Sequence, residues 1–174
     1  MFSLENDVHQ ILNQLQQRIQ TIKLTEGVPQ DLIYMTFLNQ CADTEITPDI
    51  VMLGFEHSCK ENKYLAQHYP EITKQVWMIA ETGQGDTWFL DRTSLEVLFY
   101  DHDQGEYEAP EQFESMKINF AQFLQFAWLL RDHERLLDQY DQRKQVLSEQ
   151  EYADLIQNIQ CIHPDLLDNF PFQL

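Results

Sequence analysis

Three short apolar runs, Val76 to Ala80, Thr87 to Leu90 and Val97 to Tyr100, follow one another with almost no chain between them. The links, Thr82-Gly83-Gln84-Gly85-Asp86 and Arg92-Thr93-Ser94, are too short for the crossover that parallel neighbours need, so the runs must form an antiparallel meander. Gly83 and Gly85 let the first link take positive φ. Each run is apolar at nearly every position, so both faces of this small sheet should be covered, at least in part by helices.

The rest of the chain supplies those helices. From Ser3 to Thr25 the residues Leu4, Val8, Ile11, Leu12, Leu15, Ile19 and Ile22 keep helical spacing, with Ser3 placed to cap and Gly27 to stop. Pro29, at a first helical position, leads into Leu32, Ile33, Met35, Phe37 and Leu38, read as a short buried helix. Ile50 to Phe55 reads as a buried strand, and His57 to His68 as a helix stopped by Pro70. From about Met116 the stripe Phe120, Phe123, Leu124, Ala127, Leu130, Leu136, Leu137 and Tyr140 predicts the central packing helix. Ser148 with Glu151 is a capping-box signature for a last helix through Leu155, Ile156 and Ile159, ending near Pro164. The expected fold is α+β, a central antiparallel β-meander flanked by helices. One domain is expected over residues 1–174, with a core of about 28–135, an N-terminal helix in 1–26 and a C-terminal helical extension in 136–174.

Charge limits the function classes. With 29 acidic and 11 basic residues the formal net charge is −18, a field that repels nucleic acid and anionic membranes and speeds encounter with a basic protein. Three cysteines, Cys41, Cys59 and Cys161, are scattered and odd in number, which suits reduced thiols, and Met1 to Gln10 lacks the pattern of a secretory leader. The expected location is the cytoplasm.

The meander and the following helix carry a family pattern: Trp77-Met78-Ile79-Ala80, then Gly83-Gln84-Gly85-Asp86-Thr87-Trp88-Phe89-Leu90-Asp91, then Val97-Leu98-Phe99-Tyr100-Asp101-His102-Asp103, and Phe120-Ala121-Gln122-Phe123-Leu124. In order and spacing these resemble the SUKH superfamily, which includes yeast cell-wall regulators and many bacterial immunity proteins. Asn119 stands where the family has a small residue before the first Phe, and Asn39-Gln40-Cys41 where it often has Asn-Gly. The resemblance implies an α+β fold, no enzymatic activity and recognition of a protein partner; no cofactor is expected. For bacterial members it implies immunity, the direct stoichiometric binding and neutralisation of a cognate toxin, in some cases a nuclease. A regulatory or scaffold module is the alternative from the eukaryotic side of the family, and a small metal-dependent or hydrolytic enzyme is a third.

The acids concentrate in the same stretch. From Glu81 to Pro110 stand Glu81, Asp86, Asp91, Glu96, Asp101, Asp103, Glu106 and Glu108 against the single base Arg92. Of these, Asp86, Asp91, Glu96, Asp101, Asp103, Glu106 and Glu108 are the candidate contacts for a basic toxin, which needs Lys and Arg if it grips phosphates. Solvated loops and turn chemistry would use the same residue types, and Asp86 in particular reads first as a turn residue. A metal reading of Asp101-His102-Asp103 competes with strand-end turns. A zinc reading of His57-x-Cys59 with Cys161-x-His163 lacks the usual ligand spacing. Gly83-x-Gly85 precedes a strand and so is no phosphate loop. No nucleophile motif points to a hydrolase, and Asp132 and Glu134 beside His133 read as a surface paired with Arg131 and Arg135.

Overall fold

A computed structural model describes residues 2–23 and 27–174. The elements in order are α1 (Val8–Gln14), α2 (Leu32–Gln40), β1 (Thr44–Thr47), β2 (Ile50–Met52), α3 (Phe55–His68), α4 (Pro70–Thr73), β3 (Val76–Glu81), β4 (Thr87–Asp91), β5 (Glu96–Tyr100), β6 (Glu114–Asn119), α5 (Phe120–Arg143), α6 (Glu149–Ile162) and α7 (Leu166–Asn169). The strands form one antiparallel sheet in the order β1-β2-β3-β4-β5-β6. This is an α+β fold with the expected meander at its centre. Its first turn uses positive φ at Gly85 (109°) and not at Gly83.

Alternation along the strands separates two apolar layers. Trp77, Ile79, Trp88, Leu90, Val97 and Phe99 pack with Phe120, Phe123 and Leu124 of α5. Val76, Met78, Phe89, Leu98 and Tyr100 pack with Leu65 of α3, Ile72 of α4 and Phe113. Each fully buried side chain of this size contributes about 1.5–3 kcal/mol, so neither face can be left open. The α5 layer also takes in Phe2, Ile11 and Leu12 from one end of the chain and Leu155, Ile159, Leu166 and Phe170 from the other. Residues outside 28–135 therefore build the same core.

Four local expectations are corrected. The first helix occupies only Val8–Gln14, capped by Asp7, whose carboxylate accepts from the His9 amide at 3.0 Å. Gln17 stops it by donating to the Leu12 and Leu15 carbonyls at 2.8 and 2.9 Å. The chain then runs beside residues 40–42, with Arg18 N–H on the Gln40 carbonyl and Ala42 N–H on the Gln16 carbonyl, each at 2.8 Å. Pairing outweighs helix periodicity here, and Ile19 is left fully exposed at 101%. Gly27 (φ 93°) lies in a turn away from α1, and Thr25, the expected end of this helix, lies outside the described residues.

Pro29 precedes α2 instead of opening it. The cap is Asp31, which accepts from Ile33 and Tyr34 amides at 2.9 and 2.8 Å. The strand expected over Ile50 to Phe55 ends at Met52, because Gly54 turns the chain into α3 with its N–H on Asp43 Oδ1 at 2.6 Å. A Cβ at Gly54 would lie 2.8 Å from the Asp43 nitrogen, so this close approach requires glycine. Last, Met116 belongs to β6, where Met116 and Ile118 are buried between exposed Glu114, Lys117 and Asn119. The helix starts at Phe120 behind Asn119, whose Oδ1 accepts from the Gln122 amide at 3.0 Å while its own backbone N–H donates to Gln122 Oε1 at 3.1 Å.

One junction uses a side chain as a strand. β2 stops opposite Ala80, so Met78 has no strand neighbour on that side. Asn62 of α3 supplies one: Oδ1 accepts from Met78 N–H at 2.8 Å, and Nδ2 donates to the Met78 carbonyl at 2.9 Å and the Ser58 carbonyl at 2.8 Å. Ser58 Oγ also donates to that Met78 carbonyl and bonds Tyr34 Oη, which accepts from Trp77 Nε1 at 2.8 Å. Burial pushes the Tyr34 phenol pKa well up, so it stays neutral.

Candidate functional site

The sheet gathers the turns after β1, β3 and β5 at one end, since Thr87 pairs with Tyr100 and Gly83 N–H bonds the Pro48 carbonyl at 3.0 Å. This end holds five of the seven candidate carboxylates: Asp86, Asp101, Asp103, Glu106 and Glu108. Asp91 and Glu96 fall at the opposite end, where Asp91 Oδ1 accepts from Thr93 and Ser94 amides at 2.7 Å each and Glu96 accepts from Ser115 Oγ at 2.7 Å. Both close turns or pairings there.

Asp86 lies beneath the surface, 6% exposed. Its Oδ2 accepts from Thr82 Oγ1 at 3.3 Å, and Oδ1 accepts from His102 N–H at 3.1 Å and meets His102 Nδ1 at 2.6 Å. It joins the β3–β4 turn to the end of β5, beside Gly85, whose φ of 109° suits glycine. The bond to Asp86 raises the His102 pKa above its usual 6.5, helped by the charges of Asp103 and Asp101. Asp101 caps a one-turn 3-10 helix over His102–Gln104 by accepting from Asp103 N–H at 2.8 Å.

The segment that follows is braced from within. Gln112 Oε1 accepts from Glu108 and Ala109 amides at 2.7 and 2.9 Å, while its Nε2 donates to the Glu106 carbonyl at 3.1 Å. Tyr107 stands on Tyr100, Phe89, Phe113 and Tyr69, and Tyr69 donates its hydroxyl to Glu106. Asp103, Glu106 and Glu108 remain exposed on this scaffold.

The negative surface continues onto residues that carry no local signal in the sequence. Asp49, in the β1–β2 turn, has its pKa raised by partial burial and by Asp86. Glu134 on α5 has its pKa raised by partial burial and by Asp49, Asp138 and Glu45. These carboxylates come from segments far apart in the chain. Glu134 is therefore not the partner of an arginine that the sequence suggested; Arg131 and Arg135 both turn to Asp132, at 2.8 and 3.9 Å. His133 is buried edge-on to Phe2, and burial lowers its pKa.

Among the described residues, the one group of three or more potential metal ligands is Asp86, Asp101 and His102, whose ligand atoms lie within 4.8 Å of one another. Its short contacts are accounted for by the hydrogen bonds that close the two turns. The two Cys-His halves do not come together: His57 turns to Asp43 at 3.2 Å, and Cys161 is exposed at the end of α6. No helix among the described residues is long and apolar enough to cross a membrane. Comparison with family models, curated proteins and solved structures finds no match to this chain.

Proposed function

We propose that this protein is a non-catalytic binding module that engages a basic protein partner through the acidic end of its sheet. More specifically, it is an immunity protein that neutralises a cognate bacterial toxin by direct stoichiometric binding. The observation that carries the binding surface is the crowding of carboxylates around the turns at one end of the sheet: Asp101 and Asp103 beside His102 and Asp86, and Asp49 near both Asp86 and Glu134, with Asp86 and Gln112 holding the loops that bear Asp103, Glu106 and Glu108. Like charges held together are relieved when Lys or Arg approaches, and a surface that is already ordered loses little entropy on docking. A toxin that handles phosphates carries that basic complement. The order of motifs from Trp77 to Leu124, which resembles a superfamily of immunity proteins and regulators, supports a protein-binding role.

The test combines co-expression with binding. Cells carrying a toxin encoded beside this gene should survive when the protein is present. The Asp101→Asn, Asp103→Asn, Glu106→Gln, Glu108→Gln variant should associate at least about 10-fold more slowly, with its thermal stability nearly unchanged. Unaltered association by this variant would refute the acidic face, and binding without protection would favour a regulator.

A further inference from the structure

A second surface has the opposite sign. Between α3, α4 and the start of β3 lies an open concavity of about 340 Å³, lined by Lys63, Lys74, Trp77 and Arg92 among others, and no carboxylate of the described residues lines it. Three of the 11 basic side chains of a strongly acidic chain thus meet in one hollow.

Arg92 is the fixed member. Its Nε donates to the Thr73 and Val76 carbonyls at 2.8 and 3.2 Å, Nη1 donates to the Gly27 carbonyl, and the guanidinium lies 5.0 Å from the centre of the Trp77 ring. Arg18, Arg131 and Arg135 each meet a carboxylate, whereas Arg92 has only neutral carbonyls and an indole among the described residues. Its charge is therefore held in place and, among the described residues, left without a carboxylate, with no partner on Nη2. Lys63 stands exposed on α3 with no carboxylate partner among the described residues. Lys74 is bound only to Glu71, an exposed pair that an incoming anion can exchange at little cost.

We propose that this concavity is a binding site for a phosphate dianion, either free or as a phosphomonoester, with Arg92 as its rigid anchor and Lys63 and Lys74 closing over the remaining oxygens. A guanidinium and two ammonium groups more than offset the two negative charges of a phosphomonoester dianion and offer donors to its oxygens. The open rim leaves room for an organic substituent. The site lies away from the acidic end of the sheet, so it stands or falls independently of the toxin-binding reading.

The test is direct titration with inorganic phosphate, followed by phosphorus NMR line width at constant ionic strength. Phosphate is kept below about 10 mM so that its general stabilising effect on proteins does not intrude. Binding to the wild type is expected, with affinity about 5- to 10-fold weaker in the Lys63→Gln, Lys74→Gln variant, whose exposed positions leave the fold intact. Arg92→Gln should abolish binding; because Arg92 also ties Thr73, Val76 and Gly27, the lysine variant decides if Arg92→Gln does not fold. Phosphoserine displacing phosphate would assign the site to phosphomonoesters, and its failure to do so would assign it to the free ion. No binding, equal binding by the lysine variant, or equal competition by succinate would overturn the proposal.

Discussion

The Asp86 carboxylate is shared between the two turns that build the acidic end, and His102 is the group that makes this sharing depend on pH. Because the folded-state pKa of His102 lies above the usual 6.5, its contribution to stability is complete below that value and is lost as pH rises through the folded pKa. An NMR titration of the His102 imidazole should therefore show a pKa above 6.5, and Asp86→Asn should bring it down. Asp49 and Glu134 work in the same direction. Their folded pKa values are raised, so they bind protons more readily folded than unfolded, and their mutual repulsion diminishes as pH falls through those values. The sequence placed Asp86 as a turn residue, and Thr82 and His102 bear that out. It could not place Asp49 or Glu134, because their nearness to Asp86 and to each other depends on how β1, β2 and α5 pack.

Among the elements, Asn62 offers the sharpest test of how the sheet is completed. Its carboxamide stands in for the strand that β2 fails to provide, so Asn62→Ala leaves the buried Met78 N–H without its partner. The expected cost is about 2–3 kcal/mol, read by urea denaturation. Nothing local in the sequence marks this role, since an Asn on a helix is ordinarily a surface residue. Elements whose stabilising contacts are close in sequence were legible: the tight meander, the long apolar stripe of α5, and the Ser148–Glu151 box that opens α6 at 2.7–3.3 Å. Elements defined by distant partners were not. β1 is a four-residue strand with little apolar content, β6 was absorbed into the stripe of the following helix, and the α1 periodicity was cut short by pairing with residues 40–42.

For the whole molecule, charge and cohesion oppose one another. At −18 the folded chain repels itself, and raising salt from about 0.01 to 0.15 M shortens the screening length from roughly 30 to 8 Å. The melting temperature should rise over that range, the reverse of what a fold held by ion pairs would show. Cohesion comes from a core shared by segments across the chain, and the tryptophans mark its separate seams. Trp77 is held by Tyr34 of α2, while Trp128 lies beneath the Arg131 guanidinium. Trp88, sealed under Phe170 and Phe172, donates its indole N–H to the Asp49 carbonyl. That last seam joins the tail directly to the turn bearing one of the acidic groups, so Trp88 emission is a built-in optical signal for any loosening of the C-terminal segment beside the acidic surface.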